Sequence, residues 1–258
     1  MLPLSVFSKL QMYMTLLWIM FLSGCQNTEE KEIVIISTND IHGRIEQFSK
    51  LATFVKRIKE EHPNVILVDA GDRFTGNPYV DHAKEKGFPI ISLMNDLGYE
   101  VGTLGNHEFD FGQKILRARI NDATFPIICA NINSSRGELD SIPPYHIIEK
   151  DGIKLGFISF VQTETDQIPS TNPERLKDIT FDHYLDKVED YKPLKRQCDV
   201  LIGLTHLGVD KDSILATQMP ELDIIIGGHT HTLLETSKEI NNVIIGQTGL
   251  KLQYAGLT

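Results

Sequence analysis

Five short runs of apolar, mostly β-branched residues recur along the chain, and each ends in a polar loop. The runs are Ile33–Ile36, Val65–Val68, Val101–Leu104, Val200–Leu204 and Ile224–Ile226. They lack the polar alternation of a half-exposed strand, so each predicts a strand covered on both faces. Between them, Ser49–Glu61 places Leu51, Phe54, Val55 and Ile58 on one face of an amphipathic helix. Pro78–Gly98 predicts helical segments broken at Gly87 and Pro89, and Phe111–Ile120 and Lys211–Met219 predict further helices. Phe181–Cys198 reads as helical until Pro193. Pro126–Ala130, Ile240–Ile245 and Gln253–Leu257 read as additional strands. Asp151-Gly152 predicts a tight hairpin turn joining Tyr145–Lys150 to Lys154–Phe160. Thr163–Asp178, polar and carrying Pro169 and Pro173, reads as a surface loop without chemistry. Strands alternating with helices predict an α/β fold, and open sheets of that kind bind ligands beyond the C-terminal ends of their strands.

The five loops at those ends carry unusual residues. The first, Thr38-Asn39-Asp40-Ile41-His42-Gly43, has Asp40 and His42 two apart, so both can point one way into a cleft. The second is Asp69-Ala70-Gly71-Asp72-Arg73. A carboxylate directly after a buried strand is a helix cap or a ligand, and the Asp-x-His loop upstream favours a ligand. Leu104-Gly105-Asn106-His107-Glu108-Phe109-Asp110, Thr205-His206-Leu207-Gly208 and Gly227-Gly228-His229-Thr230-His231 complete the set. Five of the nine histidines fall in these loops, whereas His62, His82, His146 and His183 lie in loop-like or surface contexts. Mixed imidazole and oxygen donors suit Zn, Mn, Fe or Co. Asp40, His42, Asp72, Asn106, His107, His206, His229 and His231 exceed the needs of one tetrahedral site, so two divalent ions sharing a carboxylate is the economical reading.

Composition narrows the partners. The chain has 258 residues, a formal net charge of -10 and 41% hydrophobic residues, enough for one sizeable α/β domain. The acidic balance argues against nucleic acid, whose backbone needs clustered Lys and Arg. Cys25, Cys129 and Cys198 show no paired metal-ligand spacing. Cys129 and Cys198 read as buried free thiols, with a disulfide between them left open.

Residues 1–24 read as a targeting segment, with Lys9 before an apolar core, Met12–Leu22, too short to anchor stably in a bilayer. Leu22-Ser23-Gly24-Cys25 resembles the bacterial lipobox. That resemblance implies cleavage before Cys25, its lipidation, and a tether over residues 25–31. A lipid-anchored protein of the bacterial cell envelope, on the periplasmic or cell-surface side, is the resulting expectation.

Taken together, Asn39-Asp40-Ile41-His42-Gly43, the Gly71-Asp72 pair, Gly105-Asn106-His107-Glu108-Phe109-Asp110, Thr205-His206 and Gly227-Gly228-His229-Thr230-His231 resemble the calcineurin-like metallophosphoesterases. Within these, the resemblance is to the catalytic half of the 5'-nucleotidase branch, over residues 32–258. It implies a two-sheet β sandwich flanked by helices, an α/β/β/α arrangement in one domain. It also implies that Asp40, His42 and His231 hold one metal and Asn106, His206 and His229 the other, with Asp72 bridging. His107 would face the scissile phosphate, oriented by Asp110, while a metal-activated hydroxide attacks a phosphomonoester, possibly a nucleotide. Arg44 and Arg73 are candidates to contact phosphate, or equally arginines that merely flank a polar loop. Full-length 5'-nucleotidases continue into a second domain that binds the base, and here the chain stops at Thr258. That departure puts nucleotide specificity in doubt and leaves open a separately encoded nucleotide-binding half as a partner. A phosphodiesterase acting on cyclic nucleotides or nucleotide sugars is the competing enzyme, and a lipid-anchored, non-catalytic metal-binding module the competing class.

Overall fold

The structure is a computed structural model that describes residues 30–258. The targeting segment, Cys25 and nearly all of the tether lie outside the described residues. Among the described residues, no helix is long and apolar enough to cross a membrane.

The first half lays down four parallel strands, β1 (Val34–Thr38), β2 (Val65–Asp69), β3 (Val101–Thr103) and β4 (Ile127–Ile128). Helices α1 (Phe48–Glu61), α2 (Pro78–Asp81), α3 (Phe88–Leu97) and α4 (Gln113–Asp122) fill the crossovers. Next come β5 (Ile132–Asn133), the hairpin strands β6 (Tyr145–Lys150) and β7 (Ile153–Ile158), and β8 (Thr180–Phe181), which pairs with β5. The rest is α5 (Tyr184–Tyr191), β9 (Val200–Leu204), α6 (Val209–Gln218), β10 (Ile224–Ile226), β11 (Lys238–Ile240), β12 (Val243–Gly246) and β13 (Gly256–Leu257). They make a five-stranded sheet in the order β13-β1-β2-β3-β4 and a six-stranded sheet in the order β11-β12-β10-β9-β7-β6.

The all-apolar strands explain how the layers assemble. In β1 and β2, Ile35, Ile66 and Val68 face one way and pack with Phe157, Ile202, Leu204 and Ile226 of the other sheet. Val34, Ile36, Val65 and Leu67 face the other way, against Leu51, Val55 and Ile58 of α1 and Ile91 and Met94 of α3. In the second sheet, Leu201, Ile225, Val243 and Ile245 pack against Val188 of α5 and Leu215 of α6. The central strands therefore bury both faces, one on the opposing sheet and one on helices, which gives α/β/β/α layers. Burying one such side chain is worth about 1.5–3 kcal/mol, but with both faces apolar the register needs the strand-end polar residues to fix it.

Several boundaries differ from expectation for local reasons. Ile240–Ile245 is not one strand but a hairpin, β11 and β12, because Asn241 and Asn242 adopt φ of 51° and 66°. Asn tolerates that left-handed conformation better than most residues. The Asp151-Gly152 hairpin forms as expected, with φ of 51° and 74° and Lys150 opposite Ile153. α4 begins at Gln113 rather than Phe111, because Gly112 at φ 80° breaks the chain from the short 3-10 turn His107–Phe109. Phe181 belongs to β8, and Pro193 falls in a 3-10 turn, Lys192–Gln197, that follows α5. Only Gly256–Leu257 of the last expected strand pairs, antiparallel on the edge of β1. Cys129 is buried, Cys198 half-buried, and both are free thiols.

Candidate active site

The C-terminal ends of β1, β2, β3, β9 and β10 release their loops on the same rim, at the seam between the two sheets. The first two loops are laced together by backbone bonds: Asp40 N–H donates to Gly71 O (2.9 Å), and His42 N–H donates to Asp72 O (2.9 Å). This lacing helps hold an unusual backbone. Asp40, His42, Asp72, His229 and His231 have φ of 50°, 47°, 57°, 83° and 56°. A non-glycine residue held there costs on the order of 1–3 kcal/mol and persists only where its surroundings over-determine it. Two glycines permit the close approach. At Gly71, φ 90°, a Cβ would lie 2.8 Å from Gly105 N and 2.9 Å from His206 Nδ1. At Gly105 it would collide with the Asp72 carboxylate and sit 2.7 Å from Asp72 N.

Two clusters of converging donors result: Asp40, His42 and His231, and Asp72, His206 and His229. In the first, His42 Nε2 lies 3.1 Å from His231 Nε2, which is 3.3 Å from Asp40 Oδ1. In the second, His206 Nε2 lies 3.0 Å from Asp72 Oδ2, and Asn106 Oδ1 lies 3.1 Å from His229 Nδ1. Asp40 Oδ1 is also 3.9 Å from His206 Nε2, so the clusters adjoin.

Backbone acceptors fix the tautomers. His206 Nδ1 faces Ala70 O at 2.7 Å and His42 Nδ1 faces Thr75 O at 3.2 Å. A carbonyl can only accept, so both Nδ1 atoms carry the hydrogen and both Nε2 lone pairs are left for a metal. The buried His206 Nε2 has no hydrogen-bond partner and points a lone pair at a carboxylate. That arrangement is repulsive unless a cation lies between. Without a metal the cation is a proton: burial opposes a charged His206, but Asp72 and Asp40 outweigh it and raise its pKa to about 10. Asp72 is correspondingly held well below the carboxylate range, its burial outweighed by His206 and His107. Burial lowers His42, and burial with the neighbouring His206 lowers His229 to about 4, so both are neutral donors. Neutral imidazoles, carboxylates and an amide oxygen fit borderline divalent ions, which would displace the His206 proton.

Beside the clusters stands a dyad. His107 Nδ1 is 2.6 Å from Asp110 Oδ2, and the His107 ring packs edge-on to His42 with centroids 5.1 Å apart. The bond to Asp110 outweighs burial and raises His107 to about 9. Burial would raise Asp110, but the bonds from His107, Thr75 and Thr171 keep it below its ordinary value. His107 is no member of either donor cluster, and its backbone N–H donates to Asp72 Oδ1 at 2.8 Å.

The two arginine candidates part company. Arg73 is fully buried, its Nε 2.8 Å from Asp69 Oδ2 and its Nη1 3.5 Å from Glu108 Oε1. It is a strut beneath the second loop and not available to phosphate, which corrects that expectation. Arg44 lies at the surface and pairs with Glu46 at 3.0 Å.

Four supporting groups carry no assigned role in the sequence. Glu108 accepts from the backbone N–H groups of Asp72 (2.9 Å), Arg73 (2.8 Å) and Gly105 (2.6 Å), tying the second loop to the third. Asn39 donates to Asp40 Oδ2 (2.6 Å) and to Gly249 O (2.7 Å). Both stand inside the loop motifs, Asn39 beside Asp40 and Glu108 beside His107, so a polar neighbour of a site residue was the available signal. Thr75 stands three residues after Asp72 in the second loop, whereas the Ser170–Thr171 pair contacts the site from far along the chain and nothing local marks it.

The sequence pattern of the calcineurin-like phosphoesterase family matches residues 33–233. The snake venom 5'-nucleotidase of Naja atra is 31% identical over 243 residues, covering 83% of this chain and 44% of that protein. The 5'-nucleotidase of Rattus norvegicus is 33% identical over 239 residues, covering 81% of this chain and 40% of that protein. The chain thus spans less than half the length of these curated relatives. The solved calcineurin-like phosphoesterase YfkN from Bacillus subtilis superposes with a TM-score of 0.75 at 27% identity, over 87% of this chain and 83% of that one. Fold, donor clusters and sequence agree: the chain belongs to the calcineurin-like phosphoesterase family.

Proposed function

We propose that this chain is a phosphomonoesterase of the 5'-nucleotidase type, working through two divalent ions. The observation that carries the reading is the pair of adjoining donor clusters with the His107–Asp110 dyad at their edge. Asp40, His42 and His231 would hold one ion. Asp72, His206, His229 and the Asn106 oxygen would hold the other. Bound there, the ions would neutralise phosphoryl charge and acidify a water.

The chain's own groups do the rest. Asp110 holds the Nδ1–H of His107, which leaves Nε2 as the atom able to give a proton to the departing alkoxide. The Asp72 carboxylate, gripping the His107 backbone N–H, keeps the dyad in register with the second cluster. The 5'-nucleotidase names of the relatives support a nucleotide monoester as substrate.

Charge selects the monoester. Two dications less the carboxylates of Asp40 and Asp72 and the hydroxide they would generate, with a protonated His107 alongside, leave two positive charges to meet a monoester dianion, whereas a diester carries only one negative charge. Stripping the metal with chelator should abolish hydrolysis of p-nitrophenyl phosphate, and a divalent salt should restore it. kcat/KM for that monoester should exceed that for bis-p-nitrophenyl phosphate by at least about 10-fold, equivalent to ~1.4 kcal/mol in the barrier. A preference for the diester would move the assignment to a phosphodiesterase.

A further inference from the structure

The segment after β7 leaves the six-stranded sheet and crosses to the loops of the other sheet. Its course is pinned at several points. Leu176 and Ile179 are buried, and Ile168 packs on the same core. The Gln113 amide of α4 donates to Arg175 O (3.2 Å) and Lys177 O (2.7 Å). Glu164 N–H donates to Ile168 O at 2.8 Å, closing a tight turn. A segment held in this way presents Ser170 and Thr171 at a defined place, and both touch the site.

Ser170 contributes its carbonyl, which accepts from Asn106 Nδ2 at 3.0 Å. An amide side chain can present either end, but a carbonyl tolerates only the NH2 end. Asn106 Oδ1 is thereby turned toward His229 Nδ1, 3.1 Å away, where the second cluster needs an oxygen donor. Thr171 contributes its hydroxyl, which donates to Asp110 Oδ1 at 3.0 Å. Asp110 Oδ2 is already engaged by His107 Nδ1 (2.6 Å) and by the Thr75 hydroxyl (2.8 Å). Thr171 therefore restrains the second oxygen, and with it the rotation of the carboxylate that would take Oδ2 away from the imidazole.

We propose that Ser170–Thr171 is a positioning clamp for the reaction, in which Thr171 locks the Asp110 carboxylate on His107 while the Ser170 carbonyl sets the orientation of the Asn106 amide. The proposal rests on the phosphoesterase reading for its catalytic consequence, but its geometric content stands apart from turnover. Thr75 makes a parallel contact on the other carboxylate oxygen: its carbonyl fixes His42 and its hydroxyl fixes Asp110. The dyad is thus gripped between a residue of the second loop and a residue 61 positions downstream of Asp110.

Thr171→Val keeps the side chain's shape and deletes the hydroxyl, and Thr171→Ser restores it. In the full chain at one fixed pH, the proton NMR signal of His107 Nδ1–H should weaken or shift in the valine variant and return in the serine variant. With metal loaded, the valine variant should lose about 10-fold or more in kcat on p-nitrophenyl phosphate, the loss typical of outer hydrogen-bond partners. KM and metal content should stay near wild type, and serine should recover most of the loss. An unmoved Nδ1–H signal in the valine variant would overturn the clamp, whether or not the protein turns over. Absence of metal-dependent turnover in the wild type would instead count against the phosphoesterase reading and leave the signal as judge of the clamp.

Discussion

Replacing Glu108 with alanine is expected to destabilise the protein by about 3–5 kcal/mol, the usual cost of removing one partner of a buried ion pair. Glu108 and Arg73 are both fully buried, and Asp69 on the far side of the guanidinium is itself raised to about 7 by burial. Without Glu108, Asp69 is the carboxylate left paired with Arg73 among the described residues, and its own burial still opposes its charge. The same substitution orphans the backbone N–H groups of Asp72, Arg73 and Gly105, each worth about 1–3 kcal/mol when left buried and unpaired. The midpoint of thermal unfolding should fall by at least about 6 °C for a chain of this size. Metal affinity should fall with it, because the loops carrying Asp72 and Asn106 lose their common anchor. A midpoint within about 2 °C of wild type, a shift equivalent to less than 1 kcal/mol, would show that the strut is dispensable.

The second large effect is chemical. His107→Asn should lower kcat by about 10²–10⁴-fold, the range of a positioned general acid, while leaving metal content near that of wild type. The separation follows from the geometry: His107 shares a hydrogen bond with Asp110 and a ring contact with His42, but belongs to neither donor cluster. Its hydrogen bond to a carboxylate of the donor clusters is the backbone N–H on Asp72, which asparagine retains. Loss of metal in this variant would show that His107 is a ligand, and the division of labour would have to be redrawn.

Legibility from sequence followed the range of the interactions. The strands were plain because both faces are apolar, as in Val34–Ile36 or Ile224–Ile226, and the loops were plain because their His and Asp residues crowd strand ends. What local pattern cannot carry is direction. Arg73 stands beside Asp72 in the chain but points into the core toward Asp69 and Glu108, and only the packing of three loops reveals it. The left-handed backbone of five donor residues is only faintly marked by residue type: Asp and His enter that region more readily than most residues, but few of them do so in any chain. Thr171 is invisible for a different reason: it acts on Asp110 across 61 residues of intervening chain. The Asn241-Asn242 turn, by contrast, is written locally, yet the apolar residues flanking it read as one strand.

The claim that two ions serve one site is tested most directly by titrating metal back into chelator-stripped protein while following both bound metal and p-nitrophenyl phosphate hydrolysis. Two donor clusters, each with its own histidines and carboxylate, predict two ions bound per chain and activity that keeps rising until the second is in place. Full activity with a single ion per chain would contradict the account.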